Sequence, residues 1–508
     1  MSVFDNPIAH IILLSSALLL GFAFALPSLF ETFSSLRKLP GPFPARISRL
    51  WYLKQVSTGN FHQVNIDLHR TYGPVVRIAP NQYSIDDPTV IKTIYGIGKG
   101  FPKVAAWYEA SSAPNPPWCD LFTDRNSARH AANRRIVANL YSVTTLKDME
   151  PEVEDCIRQF VSRLTHLSKS GGILDLQFWM QCYAFDVISQ ITLGKRFGFL
   201  DSGKDNLGMF KSLHAYLKYC ALVGIEHELH RPLWWLITKL PAAGLMHVAN
   251  FTTRELENGR QVYDSEQLDK RAVRKDFMSK LFRLQDENPD KFPSSAIFAT
   301  CMTNIGAGSD TTSISLCAIL YDLITNPNVL DKLRQEIDAT FAELGDPEFI
   351  PFKAAQALCY LQACVKESLR LHPATGLSLA RIIPTGGSTL AGTHFPEGSV
   401  VGVNTWVLHR NSSIFGLDAD RYRPERWLDD DKDKLSLMEA NWIPFGTGSR
   451  TCIGKNVSLL EINKLIPVLV KRFNFSCVNS QTARHENYWL VKQVGIHCKV
   501  SSRAAEDA

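Results

Sequence analysis

FGTGSRTCIGKN, residues 445–456, packs three glycines, an arginine and one cysteine into a dozen positions near the C-terminal end of a 508-residue chain. A cysteine is ordinarily a small, inert hydrophobe of the interior. This one sits among Gly446, Gly448 and Gly454, which allow positive φ and a close approach of backbone to another group. A helix is predicted directly after it, at KNVSLLEINKLIPVLVKRF, and a helix N-terminus favours a thiolate. A thiolate ligates iron, and cysteine-ligated haem is one arrangement that cleaves an O–O bond. Arg450, two residues before Cys452, is placed to pair with a carboxylate such as a haem propionate.

Outward from this loop, the bulk numbers exclude several classes. Apolar residues make up 45% of the chain and charged ones 21%, an ordinary globular composition. The charge, 55 basic minus 50 acidic residues, is +5. That surplus, without a basic run interleaved with aromatics, gives no reason to expect nucleic acid. The 11 cysteines are scattered with no CxxC, which supports neither a zinc nor a disulfide framework and fits a reducing compartment.

One composition shift is sharp. Ile8–Phe30, IAHIILLSSALLLGFAFALPSLF, has no Asp, Glu, Lys or Arg and is long enough to cross a bilayer as a helix. No Lys or Arg precedes it, which disfavours a cleaved signal peptide. Arg37 and Lys38 follow it, placing the remaining chain in the cytosol by the positive-inside rule. Residues 1–30 are therefore expected to be an uncleaved anchor, and 31–50, with RKLPGPFP, a proline-stiffened connector. Residues 51–508 form one body, without repeats or a further linker. The sequons at Asn250, Asn411, Asn456 and Asn474 would stay unmodified there.

Within that body, helical periodicity dominates. Ser294–Ile324 is long and apolar but interrupted by Asn304, Ser309, Asp310, Thr311 and Thr312, which predicts a buried soluble helix rather than a second span. NVLDKLRQEIDATF and LCYLQACVKESLRLHP are helical, the second stopped by Pro373. PVVRIAPNQYSID and GSVVGVNTWVLH predict a minor β part.

FGTGSRTCIG resembles the haem-binding loop of the cytochrome P450 family at every fixed position of that pattern. The resemblance implies Cys452 as proximal ligand of haem b and Phe445 packed beside the haem. The family also carries Glu-x-x-Arg on an earlier helix. The motif occurs at Glu228/Arg231, Glu257/Arg260 and Glu367/Arg370, and any of these is open to reading as an ordinary helical ion pair. Only Glu367/Arg370, in KESLRLHP, has the family context; with Arg426 of RYRPERW it implies a structural lock. AGSDTT, 307–312, read alone is a Ser/Thr cluster bonding back to helix carbonyls. Beside the loop it resembles the oxygen-activation motif, which implies Asp310 and Thr311 as a proton relay, with the helix opened at Gly308 to admit dioxygen and a water. HAANRR, 130–135, alone reads as a solvated basic face. It matches a Trp-x-x-x-Arg propionate contact with histidine in place of tryptophan, implying His130 and Arg134; Arg381 in SLARIIP matches another.

The resemblance spans nearly the whole chain. LFTDRN and LYS around HAANRR resemble filamentous-fungal members of secondary metabolism, the pisatin demethylase-like group. It implies a mainly α fold with a small β-rich part behind an N-terminal transmembrane helix. The implied activity is a monooxygenase of the endoplasmic reticulum membrane. It would take O2, electrons from NADPH through NADPH-cytochrome P450 reductase, and a lipophilic terpenoid or polyketide substrate. The reductase is expected on the proximal side near Lys455. The alternatives are a haem-thiolate isomerase or dehydratase that uses no O2, a non-catalytic haem sensor, and a membrane protein without haem. Phe101–Trp118, Cys301–Ile305 and Ala374–Ala380 are expected to line the pocket.

Overall fold

The computed structural model describes residues 35–239, 244–268, 275–478 and 483–503. The apolar stretch Ile8–Phe30 lies outside the described residues. Among the described residues, no helix is long and apolar enough to cross a membrane.

Helices predominate, with small sheets at the edges. Those that position the site are α1 (Phe61–Tyr72), α2 (Ser127–Val137), α3 (Glu150–Ser170), α4 (Leu176–Leu193), α5 (Met209–Val223), α6 (Ser294–Thr325), α7 (Cys359–Leu371) and α8 (Lys455–Arg472). The long helix α6 is unbroken, as its apolar periodicity predicts. It packs most intimately against α4. Gly308 makes that contact possible: a Cβ there would lie 2.7 Å from Cγ1 of Ile188. The glycine therefore brings two helices together and does not open α6, contrary to the expectation of a local gap. The main core gathers apolar faces of α3, α4, α6, α7 and α8.

The β part is assembled from distant segments. β1 (Val75–Ala79) and β2 (Gln82–Ile85) form an antiparallel pair. β3 (Ile173–Asp175) lies far from them. β4 (Arg381–Ile382) is followed by the hairpin of β5 (Ser388–Leu390) and β6 (Thr393–Phe395). β7 (Val400–Gly402) completes a sheet ordered β1-β2-β7-β4. GSVVGVNTWVLH is thus a strand only in its first half, because Asn404 caps a short helix, Thr405–Leu408, through the Trp406 N–H. β8 (Phe473–Cys477), β9 (Arg484–Tyr488), β10 (Leu490–Val494) and β11 (His497–Ser502) close the chain; β9 and β10 form a hairpin, and β3-β11-β8 a second sheet. In the 31–50 segment, Leu36 is buried, its carbonyl accepts from Arg77 Nη2 at 2.7 Å, and Arg77 N donates to the Pro40 carbonyl at 2.8 Å.

Candidate functional site

The cysteine loop is closed on itself: Cys452 N donates to the Phe445 carbonyl at 2.8 Å, and Gly446 N to that of Ile443 at 3.0 Å. Gly446 and Gly448 both take φ of 68°, the left-handed region that a Cβ disfavours. At Gly448 a Cβ would also stand 1.9 Å from the Tyr95 carbonyl oxygen, whereas at Gly446 it would meet nothing. Gly454 differs from the other two: it has φ of −80° and is the N-cap of α8. With no side-chain cap there, the first amides of the helix are free to turn on Cys452.

Cys452 is accessible, yet burial is the largest influence on its thiol, pushing it up against the Gly454 and Lys455 N–H groups and the charges of Arg134 and Lys455. The thiol is thus accessible while surrounded by protein groups, Arg134 and Lys455 among them. The helix N-terminus alone does not leave it a ready thiolate, contrary to the simple dipole argument; a bound metal deprotonates such a ligand outright. Phe445 is half-buried, packs against Trp442 at 6.1 Å and lies under Lys455 Nζ at 5.8 Å.

Basic side chains converge beside the loop. His130 and Arg134, four apart on α2, share a face; His130 is buried and Arg134 half-buried. Burial, then repulsion from Arg450, Lys103 and Arg134, lowers the His130 imidazole to about 4. Arg381 is buried and donates to the Tyr108 hydroxyl at 3.1 Å and the Leu379 carbonyl at 2.9 Å. Arg450 donates to the Asp124 carbonyl at 2.9 Å. Lys103, which no motif flags, belongs to the same cluster. It is buried, bridges backbone with Arg381, donates to the Phe122 carbonyl at 2.5 Å and lies over the Tyr108 ring at 4.5 Å. Burial and the charges of Arg450 and Arg381 lower its amine to about 6, against the opposing pull of Asp120 and Asp124. Crowded cations that suppress one another's charge are a ready receptor for added carboxylates. With an accessible thiol beside them, this donor set fits haem b: Cys452 would hold the iron, and Arg134, Arg381, Arg450, His130 and Lys103 the propionates.

The long helix keeps an accessible strip along one face. Thr303, Ala307 and Thr311, spaced four apart, stay accessible on a helix otherwise largely buried. The Thr311 hydroxyl donates to the Ala307 carbonyl at 2.7 Å, and Ser309 to that of Ile305 at 2.7 Å, so back-bonding is the resting arrangement. Asp310 turns away from this face. It is fully buried, 2.9 Å from Lys492 Nζ on β10, and accepts from Gln181 Nε2 on α4 at 2.5 Å. The structure therefore places Asp310 and Thr311 on different sides of the helix. Tyr141 ties α6 to α8, its hydroxyl donating to Asn304 Oδ1 at 2.6 Å and its carbonyl accepting from Asn456 Nδ2 at 2.9 Å.

The three Glu-x-x-Arg copies separate by environment. Glu228 pairs with Arg49 and Arg260 with Asp264 and Asp286, all exposed or half-buried. Glu367, Arg370 and Arg426 are fully buried. Arg370 grips both Glu367 oxygens at 2.8 Å, Arg426 Nε adds 2.8 Å, and Trp427 Nε1 2.9 Å. Burial acts to raise the Glu367 carboxyl; hydrogen bonds from Arg370 and the two guanidinium charges outweigh it and hold it below the usual range. The lock reaches the cysteine loop through His409, a residue without any motif. Its Nδ1–H donates to the Arg370 carbonyl at 2.9 Å, and its Nε2 accepts from Ile443 N at 3.0 Å.

The pocket segments are only partly exposed. Trp107 and Tyr108 are core, packed on Trp489 at 5.2 and 6.4 Å. Val104–Trp107 line a cavity of about 350 Å³ with Tyr52, Ile225 and Ile382.

The cytochrome P450 family model matches residues 40–498. A pisatin demethylase of Fusarium vanettenii is 40% identical, covering 91% of this chain and 89% of that protein. The cytochrome P450 monooxygenases pkfB of Emericella nidulans (32% identical, covering 96% of each chain) and gsfF of Penicillium aethiopicum (33%, covering 93% and 95%) are also similar.

Proposed function

The chain belongs to the cytochrome P450 family, and from that premise we propose that it is a haem-thiolate monooxygenase, membrane-anchored through residues 1–30, acting on a lipophilic small molecule of fungal secondary metabolism. The relatives named above support that metabolic setting. A terpenoid or polyketide suits the mostly apolar sequence of Phe101–Trp118, Cys301–Ile305 and Ala374–Ala380, and the Arg37/Lys38 flank supports a cytosolic body on an endoplasmic reticulum membrane.

When bound, haem b would supply the redox centre for dioxygen; α6 and the cysteine loop carry the residues that would face it. Cys452 would supply its thiolate ligand, and Arg134, Arg381, Arg450, His130 and Lys103 would hold the propionates. Thr311 exchanges its bond to the Ala307 carbonyl for one directed off the accessible strip of α6, where it positions a proton. Asp310, which faces Lys492 and Gln181 on the other side of α6, would join this relay only after leaving Lys492 and taking up a proton from water. NADPH-cytochrome P450 reductase delivers electrons on the Lys455 side, where positive charge complements an acidic partner.

The observation that carries this reading is the accessible Cys452 thiol beside a cluster of mutually repelling cations. The test is a carbon monoxide difference spectrum of the dithionite-reduced protein. A strongly red-shifted Soret band that Cys452→Ala abolishes is the expected result; folded protein without haem absorbance overturns it. In Thr311→Ala, product formed per NADPH oxidised should fall by about a hundredfold, the low end of the range for a lost proton-transfer group. Unchanged coupling would favour an isomerase or dehydratase that uses no O2.

A further inference from the structure

Two of the chain's free thiols stand directly opposite each other on paired strands: Cys477 ends β8 and Cys498 lies in β11. Their Sγ atoms are 3.7 Å apart. Val478 N donates to the His497 carbonyl at 2.8 Å, which makes that neighbouring pair the hydrogen-bonded one. Cys477 and Cys498 are therefore a non-hydrogen-bonded pair, the kind whose Cα atoms approach to about 4.5 Å. A disulfide spans Cα separations of roughly 4.4–6.8 Å, so side-chain rotation closes the gap without moving the strands.

We propose that Cys477 and Cys498 form a reversible disulfide, a redox modification site that staples β8 to β11. The oxidant is hydrogen peroxide. The Cys477 sulfur attacks the peroxide, the O–O bond breaks, and a sulfenic acid and one water result. The Cys498 thiol then attacks that sulfenic sulfur, the S–O bond breaks and a second water leaves. Two thiols lose two electrons and two protons, and one peroxide becomes two waters. Cys477 is half-buried and meets the oxidant first; Cys498, fully buried and 3.7 Å from it, is placed to resolve the sulfenic acid. The ring so closed contains the β9–β10 hairpin with Trp489, packed on Trp107, and Lys492, paired with Asp310. Oxidation ties down the base of the segment that carries both. Cys317 of α6, also buried, is a third thiol near the pair.

The full-length holoenzyme would be treated with a few equivalents of hydrogen peroxide, alkylated, digested without reduction and mapped by mass spectrometry. A Cys477–Cys498 peptide, lost on dithiothreitol treatment, is expected. Amide hydrogen exchange in β9 and β10 should slow several-fold in the oxidised form. In Cys477→Ser the cross-link disappears and Cys498 remains alkylatable after denaturation. Oxidation of Cys477 to sulfinic acid without cross-link, pairing of Cys498 with Cys317, or a cross-link that leaves exchange in β9–β10 unchanged would each overturn the proposal. The wild-type map decides the pairing even if the variant fails to fold.

Discussion

Asp310 is fully buried between Lys492 at 2.9 Å and Gln181 at 2.5 Å. Removing one partner of a buried pair leaves the other uncompensated, at about 3–5 kcal/mol. Lys492→Met should therefore lower stability by that amount in urea titrations, and adding Asp310→Asn should recover much of it, because the unpaired carboxylate is then gone. The cysteine loop offers a second comparison between single residues. Gly446 and Gly448 share the same φ, so each Ala substitution pays roughly 1–2 kcal/mol for the left-handed backbone. Only Gly448→Ala also drives a Cβ into the Tyr95 carbonyl oxygen, which nothing can accommodate without moving the loop. Gly446→Ala should fold and retain haem, while Gly448→Ala should lose most of it, read as the absorbance ratio of haem to protein.

Between elements, the lock transmits position. Glu367 and Arg370 on α7 reach Arg426, and His409 passes the Arg370 carbonyl on to Ile443, two residues before Phe445. The Trp442 indole N–H donates to the Lys366 carbonyl at 2.9 Å, a parallel tie from α7. Glu367→Gln removes the charge that two buried guanidinium groups face, and should cost about 3–5 kcal/mol. It should also speed haem transfer to an apoprotein acceptor, because the loop loses its support. The same residue types at Glu228/Arg231 and Glu257/Arg260 form no such lock. Their segments lie at the surface, where an ion pair is worth about 0–1 kcal/mol. Context in KESLRLHP singled out the copy whose side chains are fully buried and joined to Arg426; His409, in VLHR, carried no local signal.

For the whole molecule, buried histidines set the acid limit. Burial, with repulsion from His485 and Arg410, lowers His62 to about 3. Burial lowers His69 to about 4 and His409 to about 3 against opposing backbone hydrogen bonds. Above the unfolded value of about 6.5, both states are neutral and the contribution is full. As pH falls below it, the unfolded chain binds protons that the folded chain refuses, so stability is lost progressively down to the folded values. Each of these three costs on the order of 2 kcal/mol between pH 7 and pH 5. Asp322, raised by burial to about 7, and Glu461, raised well above its usual value by burial, act in the opposite sense. The lowered histidines, which also include His130, His372 and His485, outnumber them. The melting temperature should therefore fall on going from pH 7 to pH 5, measured calorimetrically. An equal or higher value at pH 5 would contradict this accounting.

The sequence by itself determined the elements whose signals are local. The glycine-rich turn around Cys452 needs only its own φ values, α8 starts where an apolar periodicity starts, and α6 announces itself by uninterrupted helical spacing. The paired faces of His130 and Arg134 follow from the same 3.6-residue repeat. Only the tertiary structure decided which charges meet. Lys492 on β10 partners Asp310 because burial in a low dielectric makes pairing obligatory for a charge, and it is the folding of distant segments onto one another that brings Lys103 to the cations beside Cys452 and Cys477 to Cys498. Gly308 makes the same point for packing. Its role was to admit Ile188 from a neighbouring helix, a steric fact that exists only once α4 and α6 are in contact.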